Sequence, residues 1–406
     1  MHLGYFLNFV LLSCYCTQWF VQAFKDIERI PIGATRKPVS VSYQDLKDAV
    51  GNRTCSPKKL LGSIAKAFGP DGLGLLEVSD IPPAVVKLRS DVLGMAETLA
   101  RLPTEQLEEI TIPSSMYSIG WSHGREQFRG EYDTGKGSFY FDPFHENIPN
   151  HNVYPSSMQP DLEHSLLEIS TRMAEIGSWV ASLCDLYLQE ELKDKQQSEG
   201  EGIETMQNDR TENTAADLSP ETISIRQSLD SGKYAKGRLL YYFPAGINSQ
   251  NSVSQSEEEE ADESSSFDSW CGWHKDHSSL TILIPGKLFE DQPGETRSEQ
   301  CKGNKPGLYI QSQGQAVHVQ LPSTSIGVQL GETVEIMSAG QFRATRHAVK
   351  GSSNPTTGRA SLALFLQPSM ETTLPQLYLQ AADESLRQRW RPTYGDFQDA
   401  TFAAFL

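Results

Sequence analysis

The stretch SWCGWHKDHSSLTILIPG, Ser269–Gly286, sets His274, Asp276 and His277 at the head of an apolar run that reads as a buried strand. Burying an imidazole or a carboxylate without a partner is unfavourable by several kcal/mol, so a chain entering its core with such groups must supply compensation, by pairing or by a metal. Residues two apart on a strand project from one face, so His274 and Asp276 can share one ion while His277 faces the other way. His277 is therefore read as a supporting or surface residue rather than a ligand.

A three-ligand site needs one further imidazole. Of the nine histidines, His347 in GQFRATRHAVKGSSNP is the best candidate, because it opens a short apolar strand. Twelve residues on, in GRASLALFLQP, Arg359 and Ser361 alternate with Ala360 and Leu362, so a guanidinium and a hydroxyl share a face. A buried arginine needs an anion. Two histidines and one carboxylate on adjoining strands make a facial triad, which leaves neighbouring positions on Fe(II) open to a chelating acid and dioxygen. His123, His145, His151, His164 and His318 lack a comparable frame and are read as satisfied or exposed.

The surroundings fit a barrel. From Arg238 on, RLLYYFP, LTILIPG, GLYIQS, AVHVQLP, ETVEIMS, HAVKG and RASLALFLQP follow one another as short apolar strands separated by Gly, Pro, Asn and Ser, which argues for a sandwich or barrel. Upstream, VSYQDLKDAV and KKLLGSIAKAFGPDGLGLLEVSDIP read as helix, glycine-rich turn and strand, and Val85–Leu107 as a helix. GPDGLG has the wrong spacing for a dinucleotide loop and no helix after it. Between Pro160 and Leu192, the residues Leu162, Leu166, Ile169, Met173, Ile176, Val180, Leu183 and Tyr187 form the stripe of a helix packed along a larger body. Periodicity is lost over about 193–222, which reads as a polar insertion.

WHKDHSSLTILIPG, RHAVKG and GRASLALFLQP, in that order, resemble the H-x-D … H … R-x-S signature of the Fe(II)/2-oxoglutarate-dependent dioxygenase superfamily, in its isopenicillin N synthase-like, plant-type branch. RLLYYFP is similar to the branch's N-Y-Y-P segment, and the resemblance covers most of residues 38–405. It implies a mainly β fold with flanking helices, a cupin-like double-stranded β-helix or jelly roll with a mixed α/β N-terminal region. It makes His274, Asp276 and His347 the iron ligands and assigns Arg359 and Ser361 to the distal carboxylate of 2-oxoglutarate. Phe243 stands where the family often has a cosubstrate-binding tyrosine, so Tyr242 or Tyr241 is expected to take that role. The implied cofactors are Fe(II), 2-oxoglutarate as cosubstrate and O2, with ascorbate as a possible addition. The implied reaction is hydroxylation, desaturation or ring closure at a C–H bond of a small molecule.

Two departures bear on this. Asp276 and His347 lie 71 residues apart, more than is usual in the family, and the surplus falls in GKLFEDQPGETRSEQCKGNKPG, read as a polar loop by the pocket mouth. The acidic run SEEEEADESSS, Ser256–Ser266, reads as a solvated loop. Three other readings stay open. One is an iron oxidase independent of 2-oxoglutarate, as in isopenicillin N synthase, and another is a barrel kept as a non-catalytic interaction module. The third takes GWSHG, Gly120–Gly124, as a nucleophile elbow with Ser122 reactive, which lacks the strand before and helix after that the turn needs. Instead Trp121, Arg125, Phe139 and Tyr140 are expected near the barrel mouth.

Composition narrows partners. With 35 Lys and Arg against 52 Asp and Glu, the formal charge of −17 is the wrong sign for tracking phosphates, so no nucleic acid is expected. Nor is a stable protein partner. Cys14, Cys16, Cys55, Cys184, Cys271 and Cys301 contain no CxxC and read as free thiols, with a disulfide among the last four left open. Leu3–Ala23 is about the length of a membrane-spanning helix yet carries polar interruptions, and Val21-Gln22-Ala23 resembles a cleavage site. A leader over 1–24 is thus one reading, giving secretory-pathway entry (or a plastid address in an alga) and the chain's sole membrane contact. Without a working leader the chain is cytoplasmic. The expected organisation is a helix-strand region over 38–110, helical support over 111–237, a jelly-roll core over 238–370 and a C-terminal helical segment over 371–406.

Overall fold

A computed structural model describes residues 30–51, 58–125, 127–128, 131–144, 152–201, 224–231, 234–245, 269–290, 305–376 and 379–405. The hydrophobic leader, the acidic run 256–266, Cys55 and Cys301 lie outside the described residues, as do 202–223 and 291–304. Among the described residues no helix is long and apolar enough to cross a membrane.

Two sheets form the body. The larger has eight strands, ordered Val39–Ser42, Leu75–Ser79, Ile326–Leu330, Leu280–Glu290, Thr357–Leu366, Ala235–Tyr242, Lys136–Phe141 and Gly120–His123. The smaller has four, ordered Gln315–His318, Gly307–Ser312, His347–Lys350 and Ser269–His274. Apart from the parallel pair Val39–Ser42 and Leu75–Ser79, the neighbours in both sheets run antiparallel. This is a double-stranded β-helix, with helices packed on the outer face of the larger sheet.

Alternation along three central strands separates core from site. Leu280, Ile282 and Ile284, Leu239 and Tyr241, and Ala360, Leu362, Leu364 and Leu366 enter the main apolar core. Thr281 and Leu283, Arg238, Leu240 and Tyr242, and Arg359, Ser361 and Phe365 line the cavity between the sheets. The helix Asp161–Glu201 closes the core from outside; its stripe from Leu162 to Leu183 is buried, and Tyr187 packs beside Phe342. Asp185 on that helix accepts from the backbone N–H groups of Ile225 and Arg226 and from Ser224 Oγ, seating the helix Ile225–Ser231.

Several expectations are corrected. ETVEIMS is not a strand but the helix Glu332–Met337, buried along its length, because Gly331 follows the strand Ile326–Leu330 and turns the chain. The helix expected over Val85–Leu107 is two, Pro83–Ala100 and Thr104–Glu109, since Pro103 lacks the N–H that continuation requires. The helix from Asp161 runs to Glu201, so the first residues of the expected polar insertion are helical. The strand beginning LTILIPG continues to Glu290 instead of ending at Gly286. GWSHG forms an edge strand with Ser122 buried and paired to Ser138, not a strand-turn-helix elbow.

Candidate metal centre

Pairing between His347–Lys350 and Ser269–His274 sets His347 opposite His274, with ring centroids 4.2 Å apart. The strand ends at His274, so Asp276 comes not from a continuing strand but from the turn 275–279 that follows it. The turn still brings the carboxylate to the same place: Asp276 Oδ1 lies 3.6 Å from His274 Nε2 and 3.9 Å from His347 Nε2. These three residues form the one group among the described residues with metal-ligand geometry, with ligand atoms within 4.8 Å of one another.

The outer atoms of each group are committed elsewhere. His274 Nδ1 donates to the Gly272 carbonyl at 2.8 Å, and His347 Nδ1 to the Thr345 carbonyl at 3.0 Å, so that when the rings are neutral each Nε2 carries its lone pair on the side of Asp276. The Gln329 side-chain amide nitrogen, Nε2, also lies 2.5 Å from His347 Nδ1 and packs against the back of that ring. Thr281 Oγ1 donates to Asp276 Oδ2 at 2.5 Å. Two neutral imidazoles and one anion, each braced from behind, suit a divalent transition ion.

Electrostatics agree. Burial works to raise the Asp276 carboxyl, but His347, His274 and the Thr281 hydroxyl overcome it and hold the group below the ordinary carboxylate range. Burial, with His274 alongside, pushes His347 down to about 4. Burial also opposes charge on His274, yet Cys271, Asp276 and the Gly272 carbonyl raise it to about 9 in the metal-free chain. Cys271 Sγ sits 3.9 Å from His274 Nδ1, a neighbour that sequence reading missed because nothing in a lone cysteine marks it.

Arg359 is buried on the cavity wall and donates to Ser361 Oγ at 3.3 Å, with its guanidinium 5.4 Å from the centre of the Tyr242 ring. Among the described residues no carboxylate pairs with it, and Tyr242 and Cys271 are its polar neighbours. Tyr242 stacks on Trp270 and lines the cavity, whereas Tyr241 points into the core with its hydroxyl near Arg101. Of the two tyrosines, Tyr242 is the one on the cavity side of its strand.

The cavity has a volume of about 300 Å3, and its apolar lining includes Leu240, Leu283, Leu288, Leu308 and Val349. His318 and Arg238 line it as well, neither foreseen from sequence. Arg238 donates to Ser138 Oγ and lies over the Tyr140 ring. By contrast Trp121 and Phe139 are buried in the core, Tyr140 lies beneath Arg238, and Arg125 stacks on Tyr117 outside the cavity. None of these four residues is among those lining the cavity. His277 turns away from the cavity, its Nε2 3.3 Å from the Gln398 amide and its ring against Phe402, and it is half-buried rather than on the surface. Cys184 and Cys271 are free thiols.

Residues 248–368 match the family model of the 2OG-Fe(II) oxygenase superfamily. Feruloyl CoA ortho-hydroxylase 2 of Arabidopsis thaliana is 30% identical over 127 residues, 31% of this chain and 28% of the relative. 2-oxoglutarate-dependent dioxygenase 11 of Oryza sativa subsp. japonica is 31% identical over 129 residues, 32% of this chain and 31% of the relative. The chain thus spans under a third of the length of these curated relatives. A full-length Neurospora crassa protein, crystallised with alpha-KG and 5-formyluracil, shares the fold with a TM-score of 0.56 at 16% identity, over 90% of this chain and 95% of that one. A 2OG-Fe(II) oxygenase family protein from Caulobacter crescentus gives 0.57 at 16% identity, over 92% and 100%.

Proposed function

We propose that the chain is an Fe(II)/2-oxoglutarate-dependent dioxygenase that oxidises a C–H bond of a small molecule by hydroxylation, desaturation or cyclisation. One observation carries the reading: a braced His274–Asp276–His347 triad opens on the same cavity as a buried guanidinium, Arg359, that has no carboxylate of its own among the described residues. His274 and His347 would hold Fe(II) through Nε2 and Asp276 through Oδ1. Arg359 and Ser361 would take the distal carboxylate of 2-oxoglutarate, and Tyr242 would flank that guanidinium. In the hydroxylating case, the bound metal and cosubstrate supply an oxidant that puts one oxygen atom of O2 into the C–H bond and the other into succinate, with CO2 released.

The chain's own groups do the rest. Two neutral imidazoles and one carboxylate leave a net positive charge at a bound divalent ion, which attracts the chelating end of a 2-oxo acid. Arg359 fixes the far end by charge-assisted hydrogen bonds. The aliphatic wall excludes water from the space where the substrate lies, which protects a reactive oxidant from side reactions.

Succinate release from 2-oxoglutarate should depend on Fe(II) and disappear in His347→Ala. Equal release by wild type and variant would sink the assignment. Iron-dependent O2 uptake with no need for 2-oxoglutarate would instead select the isopenicillin N synthase-type reading.

A further inference from the structure

The C-terminal helices meet the metal-ligand turn from behind, through charged residues that line no part of the cavity. Arg389, on the helix Glu384–Arg389, grips Glu332 with two parallel bonds, Nη1 to Oε2 at 2.8 Å and Nη2 to Oε1 at 2.7 Å. Both residues are buried, at 7% and 2% exposure. Glu332 begins the helix Glu332–Met337, and the three residues 331–333 bind the turn in register. The Glu332 N–H donates to the Asp276 carbonyl at 2.8 Å, and the Gly331 N–H to the Ser279 carbonyl at 3.0 Å. Thr333 Oγ1 donates to the His277 carbonyl at 2.6 Å. Contact is close enough that a Cβ on Gly331 would stand 2.0 Å from the Ser278 carbonyl oxygen.

A second tie runs alongside. Lys275, the residue between the two ligands His274 and Asp276, bonds Asp383 at 2.9 Å, and Asp383 caps the same C-terminal helix by accepting from the Leu386 N–H. Lys275 Nζ also lies 3.6 Å from Glu335. Gln398, on the last helix, meets His277. Every residue from 275 to 277 is therefore held by a group belonging to the C-terminal helices or to the helix they clasp.

We propose that Arg389, acting through Glu332, is a positioning residue that sets the Asp276 carboxylate for metal binding; this rests on the metal reading above. A buried ion pair is a weak source of stability, since well-packed apolar residues of similar volume do as well or better, but its two directional bonds fix one geometry. Here the fixed group is one hydrogen bond away from the backbone of a metal ligand. Outer-shell partners that orient ligands typically change metal affinity by about 10- to 100-fold when removed.

The test uses the full chain stripped of metal and titrated with Co(II), whose visible absorption reports affinity and ligand geometry, with thermal melting followed in parallel. Arg389→Lys keeps the charge and loses the fork, while the double variant Glu332→Gln/Arg389→Met removes both charges together with the fork. Either variant, if it melts near wild type, should bind Co(II) at least about 10-fold more weakly and with an altered band shape. A variant that melts like wild type and binds Co(II) with unchanged affinity and spectrum would overturn the proposal. Loss of folding in both variants would assign the pair to stability and overturn it too. Failure of wild type to bind Co(II) is a separate result: it removes the metal reading itself.

Discussion

Thr281 Oγ1 donates a 2.5 Å hydrogen bond to Asp276 Oδ2, on the opposite side of the carboxylate from Oδ1, which faces both histidines. One oxygen is thus tied to the larger sheet and the other left for a metal. Thr281→Val keeps the shape and removes the bond, freeing the carboxylate to rotate. Fe(II) or Co(II) affinity should fall by about 10- to 100-fold with the melting temperature little changed. Titration of the metal-free variant checks this, and wild-type affinity would show that the hydroxyl does not orient Asp276.

The proposed cosubstrate site rests on Arg359 and on the absence of a side chain at Gly286. A Cβ there would fall 2.5 Å from Arg359 Nε, while Arg89 holds the neighbouring Pro285 carbonyl at 2.6 Å from the other side. The strand cannot back away. Arg359→Met should raise KM for 2-oxoglutarate steeply, since truncating one partner of a buried charge pair costs about 2–5 kcal/mol, some 30-fold or more. Gly286→Ala should raise it less, by displacing the guanidinium without removing it. Co(II) affinity in the absence of 2-oxoglutarate should stay at the wild-type value for both, which separates a cosubstrate defect from a metal defect.

pH should act on the metal-free chain in two opposite ways. Burial pushes His347 and His277 down to about 4, so between there and the unfolded value near ~6.5 the unfolded chain binds more protons. Stability from these two is therefore lost as pH falls through that window. His274 is raised to about 9, so its contribution is complete below ~6.5 and lost as pH climbs towards 9. Cys271, which burial would raise but His274 brings down to about 7, gains stability over much of that same range, so the melting temperature of the metal-free chain should fall below pH ~6.5 and change little above it. Metal affinity, which requires a neutral His274, should instead keep rising as pH approaches 9. A flat melting profile between pH ~4 and ~9 would contradict the imidazole environments described.

Sequence reading found the triad because burial of His274 and Asp276 demanded an explanation, and the ordering with His347 and with Arg359 and Ser361 gave one. Period-two alternation likewise separated Arg359 and Ser361 from the core-facing Ala360 and Leu362. What escaped was whatever depends on contacts between distant segments. Gln329 and Arg238 acquire their places only when segments apart in sequence become neighbours, whereas Cys271 is local to His274 and was missed because a lone cysteine carries no mark. The misread strand ETVEIMS shows a related limit. Its alternating Val334 and Ile336 suit a strand, yet Glu332 and Glu335 can be buried because Arg389 and the Ala344 N–H, both outside the segment, receive their carboxylates.

The outer face of the larger sheet carries the last prediction. Gly177, in mid-helix, lies where a Cβ would come 2.4 Å from Leu366 Cδ1 and 2.9 Å from Ile282 Cδ1. Glycine is unfavourable in a helix by about 1 kcal/mol relative to alanine, so Gly177→Ala sets a propensity gain against a clash with two movable side-chain ends. The two should nearly cancel. Gly177→Val adds two more carbons and gains less propensity, so overpacking of about 1–3 kcal/mol should win. Urea midpoints of the two variants test this order. Ile282 is next in the chain to Thr281, whose hydroxyl holds Asp276, so the valine variant should also weaken Co(II) binding while the alanine variant leaves it intact. If both lower stability equally, the helix is not seated on Ile282 and Leu366 as tightly as described.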